Sequence, residues 1–299
     1  MPDIKNPKSA IPIVLLAGIF WSFGAYVVRH IDQPQLVPWQ YLFTRGVVIF
    51  ILLNIYLYLN EGIKFYKNYL KIGISGIIGG LGLAIAMITF IWSISNTTAA
   101  VTLLCLAAMP FITALLGFLF LNERISFTVW ISIIVAAFGI GVMAFGNTEK
   151  NSLMGLIFGL ASALGFAIFS VSLRWKKGTP KFTTVAVAGL VGGGLSLCVL
   201  IFNDSNIFTT FRSSSLSALH GLLVCIGFIM FSIKSKYLPV ADLTLLSLTE
   251  VVGGIFWVWL PFLGINEIPS PNTFIGGLVI TFAIIYYSVN VKKNRALLG

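Results

Sequence analysis

Charge is what this sequence has least of. Only 9% of its 299 residues are Asp, Glu, Lys or Arg, and 58% are hydrophobic; a soluble domain carries about 25% charged residues. A water-soluble fold of this length could not hide so much apolar side chain, so the solvent around it is lipid. Cysteine is almost as scarce. Cys105, Cys198 and Cys225 fall singly in apolar runs with no CxxC spacing, which argues against a disulfide framework. No cluster of His, Cys and carboxylates has metal-ligand spacing, so neither a metal nor another cofactor is implied. The pattern GxxxxGK[ST] is absent, which removes the ATP-driven pump from consideration. The formal charge of +10 sits in short loops between apolar runs, so it reads as membrane orientation and not as nucleic-acid binding.

What is present is a series of apolar runs of about 20 residues, the length that crosses a hydrocarbon core of about 30 Å. Ten spans are expected, near 11–29, 38–59, 70–93, 98–121, 126–145, 152–173, 181–202, 216–235, 239–262 and 272–291. The N-terminal run follows Lys5 and Lys8 but lacks a small-x-small cleavage site, so it reads as an uncleaved first span. With these spans, fifteen Lys and Arg lie on one side and three (Arg29, Lys150, Arg212) on the other. That asymmetry puts both termini in the cytoplasm, with a bacterial inner membrane as the expected location.

One stretch occurs twice. Ser95 to Ser126 is an apolar helix with Pro110 near its middle and a polar corner, Asn122-Glu123-Arg124, at its end. Leu238 to Ser270 repeats the plan and ends in Asn266-Glu267. The copies are the fourth and ninth spans. Five spans per half is an odd number, so the halves, 1–146 and 147–299, insert in opposite senses. The expected fold is all-α: a polytopic membrane protein of ten transmembrane helices in two inverted-topology five-helix repeats. Glycines four apart (Gly76 and Gly80, Gly155 and Gly159, Gly189 and Gly193) mark close helix approaches.

Glu250 is the most informative single residue. It lies about 16 Å into the ninth span, near the bilayer midplane. A carboxylate there faces a cavity, pairs with a cation, or takes a proton. Ser247, Glu250, Gly254 and Trp257 share helical spacing and form a candidate cavity wall, with Gly254 also a candidate for bending or gating, like Pro110. Arg45 is the one basic residue well inside a span, about 10 Å from its outer end, where snorkelling, a carbonyl pair and a substrate path are all open. Trp21, Trp92 and Trp257, with Tyr41, are aromatic candidates for a substrate surface, against lipid or helix packing as the plainer use. Arg29, His30 and Asp32 read as a solvated rim at the outer end of the first span. Gly73-Ile74-Ser75-Gly76 matches an intramembrane serine-protease motif, but His30 and His220 are both placed at outer span ends, far from Ser75.

Taken in order, Gly18-Ile19-Phe20-Trp21-Ser22-Phe23-Gly24, Arg45, Thr98-Ala99-Ala100 with Pro110 and Leu121-Asn122-Glu123-Arg124, then Gly139-Ile140-Gly141, Leu248-Thr249-Glu250-Val251 and Glu267-Ile268-Pro269-Ser270 with Gly276-Gly277 resemble the drug/metabolite transporter superfamily in its EamA-type ten-span branch. The resemblance covers nearly the whole chain. It departs at Val251, where many relatives have proline, and in the longer segment Leu260 to Asn266. It implies a central cavity built largely from spans 1, 3, 4, 6, 8 and 9, and alternating access without ATP. The expected activity is secondary transport of a small polar or zwitterionic organic metabolite, such as an amino acid or related amine. Glu250 would bind its cationic part or carry a coupling proton. The expected partners are that substrate, membrane lipids and a proton, in a monomer or weak homo-oligomer. The alternatives left open are a non-transporting assembly or lipid-handling protein and an intramembrane serine protease.

Overall fold

The computed structural model describes residues 10–123, 127–145, 153–176, 178–265 and 267–296. Lys5, Lys8, Arg124, Ser126, Lys150, Lys177, Asn266 and the expected boundary at 146–147 lie outside the described residues. Among the described residues there is no strand. The helices are α1 (Ala10–Arg29), α2 (Pro38–Glu61), the single turn α3 (Lys67–Leu70), α4 (Gly73–Asn96), α5 (Ala99–Leu106), α6 (Met109–Leu121) and α7 (Phe127–Phe145). They continue with α8 (Leu153–Trp175), α9 (Lys181–Phe202), α10 (Phe211–Lys234), α11 (Val240–Ser247), α12 (Thr249–Trp259) and α13 (Pro271–Ala296). With α5–α6 and α11–α12 each counted as one segment, 8 segments are long and apolar enough to cross a membrane. Helices α7 and α13 hold shorter apolar stretches, Trp130–Val142 and Pro271–Tyr286. Ile134, Phe138, Leu190 and Phe282 point outward, a placement that a lipid solvent makes favourable.

The fourth and ninth spans, expected as single helices, are each broken in the middle. Pro110 lacks an N–H, and its ring clashes with the carbonyl four residues back. That carbonyl belongs to Leu106, where α5 ends. The second break, at Leu248, has no proline. There the hydroxyls of Thr244, Ser247 and Thr249 bond the carbonyls of Val240, Thr244 and Leu246 at 3.1, 2.8 and 3.2 Å. Such back-bonding competes with the backbone ladder and bends helices. Helix α10 starts at Phe211, five residues before the expected 216. Its first turn is capped by the Thr210 hydroxyl, which accepts from the Ser213 N–H.

The packing has a regular plan. Helix α4 runs along α8, and α1 along α10; α4 meets α9, and α10 meets α2; α6 meets α8, and α12 meets α1. Helix α2 pairs with α9, and α7 with α13. Exchanging each span for the one five places along swaps the members of the first three couples and carries α2–α9 and α7–α13 onto themselves. The glycines sit at the crossings as expected. A Cβ on Gly46 of α2 would lie 2.7 Å from the Gly193 nitrogen and 2.8 Å from the Gly189 carbonyl oxygen of α9. Polar bonds supplement the close fit. The Ser93 hydroxyl donates to the Gly155 carbonyl at 2.7 Å and lies 2.8 Å from the Thr102 hydroxyl. Ser93→Ala is expected to lower stability in mixed micelles by about 0.6 kcal/mol, the average for interhelical bonds in membranes. A denaturation curve checks it.

Candidate functional site

The α4–α8 contact sets a depth scale. Ser75 near the start of α4 bonds Thr179 just beyond the end of α8, and Ser93 near the end of α4 bonds Gly155 near the start of α8. The two helices are therefore antiparallel along their length. At the level of Met87 and Phe90 the bundle leaves a cavity of about 60 Å³. At about 10–15 Å³ per water it holds a few waters. It is lined from α1 by Trp21, from α2 by Arg45, from α4 by Met87 and Phe90, from α8 by Ser162 and Phe166, from α10 by His220 and Phe228, and from α12 by Glu250. Residues from both sides of the first break, Leu106 and Met109, and one just after the second, Glu250, reach it.

Arg45 is 2% exposed. Its Nη2 donates to the Met87 carbonyl at 2.8 Å, and its guanidinium carbon stands 5.7 Å from the Tyr41 ring centre. Its Nε is buried with no hydrogen-bond partner. The side chain points inward, so it does not snorkel. Glu250 lies in the first turn of α12, where the helix dipole favours a negative charge. Ion pairs among the described residues include Arg29–Glu267, Arg174–Glu123 and Arg212–Asp32, and none joins Arg45 to Glu250. Arg45 and Glu250 thus line one chamber without pairing with each other.

Trp21 is held rigidly. Its indole N–H donates to the Val224 carbonyl at 3.2 Å, and its ring meets Phe166 and Phe228 at 5.5 and 5.0 Å. Tyr41 stands one layer out, with its hydroxyl on Nδ1 of His220. The other expected lining residues are elsewhere. Trp92 packs between Trp39 and Phe158, at 5.5 and 6.1 Å. Trp257 donates to the Ser22 hydroxyl at 2.9 Å and stacks on Phe23 at 4.9 Å. Gly254 abuts Leu103, at 2.7 Å from a Cβ built there. Ser247 is fully buried. Of the expected common face of Ser247, Glu250, Gly254 and Trp257, Ser247 is set apart by the break at Leu248, while the other three stay on α12, with Glu250 on the chamber and Gly254 and Trp257 against α5 and α1. The 3.6-residue phase is lost across that step.

His220 is the residue the sequence reading misplaced. It is the tenth residue of α10, not an outer-end residue, because the helix starts early. Gly24 makes room for it: a Cβ there would lie 2.7 Å from Nε2 of His220. Ser75 has its hydroxyl 2.7 Å from that of Thr179, and His30 is turned onto the Tyr26 carbonyl at 2.9 Å. Neither histidine is placed to activate Ser75.

Beyond the chamber, at the end where α1 and α4 finish, lies a wide polar vestibule of about 700 Å³, bounded by Arg29, Asp32, Asn96, Thr98, Arg212 and Glu267. Of the expected rim, His30 and the exposed Asp32 line this vestibule, while Arg29 is tied to Glu267, a distant part of the chain.

The EamA-like transporter family matches residues 8–145. The pseudopaline exporter CntI of Pseudomonas aeruginosa is 23% identical over 290 residues, covering 95% of this chain and 98% of its own. The transporter YdfC of Bacillus subtilis is 26% identical over 226 residues, 73% of this chain and 71% of its own. A crystal structure with 18% identity superposes with a TM-score of 0.65 over 96% of this chain and 98% of its own, a likeness of fold. With the membrane-spanning helices and the chamber between them, these matches identify the chain as an integral membrane transporter whose residues 8–145 are similar to the EamA-like transporter family.

Proposed function

We propose that the chain is a secondary transporter of a small zwitterionic organic metabolite, an amino acid or a related amine, working by alternating access without ATP. Ten crossings in two inverted five-span halves, with both termini cytoplasmic, form the frame of this reading. It is supported by the exchange of helix contacts between halves and by the Lys and Arg asymmetry. The observation that carries the substrate class is the unpaired placement of Arg45 and Glu250 on one chamber. Two opposite charges in a low-dielectric chamber attract strongly. Held apart, they suit a molecule with a carboxylate at one end and an ammonium at the other. Arg45 Nε offers the free donor, and the Glu250 carboxylate receives the cation. Trp21, Phe166, Phe228 and Met87 favour an apolar side chain on the same molecule. At about 60 Å³ the chamber must widen to admit it, since ligand sites typically measure about 300–1,000 Å³.

A thermal-stability screen of the purified protein tests this. Leucine, phenylalanine and methionine are expected to raise the melting temperature, whereas choline, butyrate and glucose are not. At a concentration of 100 Kd, binding adds about 2.7 kcal/mol to the folded state. Stabilisation by the amine or the carboxylate alone refutes the two-ended site. Stabilisation by none of the six favours a non-transporting assembly or lipid-handling role.

A further inference from the structure

The polar corners that repeat in the sequence acquire a partner each in the structure. Glu267, after α12, takes Arg29, the last residue of α1: Nε donates to Oε2 at 3.0 Å and Nη2 to Oε1 at 3.2 Å. Glu123, after α6, lies 3.3 Å from Nη1 of Arg174, at the end of α8. The two pairs correspond under the exchange of halves. In each, the arginine ends the first span of one half, and the glutamate follows the broken span of the other. The correspondence extends to the backbone. Arg29 also donates to the carbonyls of Ile94, in the last turn of the third span, and Thr97, just after it, both at 2.8 Å. Arg174 donates to the Leu238 carbonyl at 2.8 Å, between the eighth and ninth. Each glutamate is set by its own turn. Asn122 adopts φ 56° and the Glu123 N–H bonds the Gly117 carbonyl at 3.2 Å. Gly264 adopts φ 80° and the Glu267 N–H bonds the Val258 carbonyl at 3.0 Å.

The pairs stand at opposite ends of the bundle. Arg29 grips the end of α4, while Arg174 ends α8 beside the start of α4. That is a separation of roughly 30 Å along a helix of that length. The chamber lies between them. Both pairs join one half of the chain to the other, so neither end can part while its pair holds.

From this we propose that Arg29–Glu267 and Arg174–Glu123 are the two gate latches of the transport cycle, one releasing the outer mouth and the other the inner mouth. In this structure both are closed at once, around a chamber with room for a few waters. The proposal rests on the alternating-access reading but not on the substrate. A latch must be open to let a solute in and closed to hold the far side shut, so each pair has to break once per cycle. Ion pairs with partial exposure, a fork at Arg29–Glu267 and a single contact at Arg174–Glu123, suit that duty. The side chains keep 19% and 16% of their surface exposed in the outer pair, and 28% and 30% in the inner one. Water can therefore replace the bonds when they part.

The test needs no ligand. In the full-length chain with Cys105, Cys198 and Cys225 replaced by alanine, Val224→Cys places one thiol on the chamber wall. Labelling by a membrane-impermeant maleimide is followed in right-side-out and inside-out vesicles. The background is expected to label slowly from both sides. Glu267→Gln should speed labelling at least tenfold from the outer side and leave the inner rate unchanged. Glu123→Gln should do the reverse. Arg29→Lys and Arg174→Lys keep the charge but lose the guanidinium's several donors, and should give smaller rises on the same respective sides, which keeps the test open if a glutamine variant fails to fold. Fast labelling of the background from either side, equal speeding from both sides, or no speeding overturns the proposal. A failed amino-acid screen beside these side-specific rates would sink the substrate class alone.

Discussion

Glu250→Gln is expected to abolish substrate-driven transport in proteoliposomes while leaving the empty protein folded. Glutamine keeps the shape of the side chain and removes its charge. The Glu250 carboxylate faces the chamber from the first turn of α12, so the change costs little in packing. The cost falls on the bound state. Removing one partner of a desolvated charge pair weakens binding by about 2–5 kcal/mol, which is about thirtyfold to several thousandfold. Arg45→Lys should behave differently. It keeps a positive charge but loses the planar fork and the free Nε, so affinity should fall while some transport remains at high substrate. Uptake of the amino acid that best stabilises the wild type, measured against concentration, separates the two. Wild-type uptake by Glu250→Gln would remove the carboxylate from the mechanism.

Gly46→Ala should be among the more damaging single methyl groups in the fold. Its Cβ would sit 2.7–2.8 Å from three backbone atoms of α9, at Gly189 and Gly193. Backbone atoms cannot step aside as a side chain can, so α2 and α9 must move apart. Overpacking of this kind costs about 1–3 kcal/mol. Gly194→Ala is the matched control. It lies on the same helix as Gly193, with nothing within 4 Å of its added carbon, and should leave the melting temperature unchanged or slightly raised. The damage should extend to transport, because Arg45 is the neighbour of Gly46 and shifts with it. Equal melting temperatures for the two variants would mean that the crossing is looser than its atoms indicate.

The charged members of the site were legible in the sequence for a simple reason. A charge inside an apolar run has few innocent explanations, so Arg45 and Glu250 stood out, and both line the chamber. Aromatic residues carry no such signal. Trp21 lines the chamber, while Trp92 and Trp257 serve packing, and all three look alike as letters. His220 was lost to a boundary: Phe211-Arg212-Ser213-Ser214-Ser215 reads as a loop but forms the first turns of α10. The ends of the helices misled in the opposite way. Arg29 and Glu267 are the sort of terminal charges that usually face water, and only the spatial neighbourhood reveals their bond. The proline in the first broken span pointed to its position, whereas the second break is assembled from hydroxyls that elsewhere in the chain leave helices whole, as Thr113 does in α6.

Those two breaks differ in how much chemistry guards them. The first depends on one ring, and a single codon change at Pro110 would hand the strand of peptide bonds back to an uninterrupted ladder. The second is shared among Thr244, Ser247 and Thr249, so no one replacement repairs it. Redundancy of that kind makes the break before Glu250 the harder one to lose by mutation, and leaves the break at Pro110 the easier place for selection to retune the transporter's mechanics.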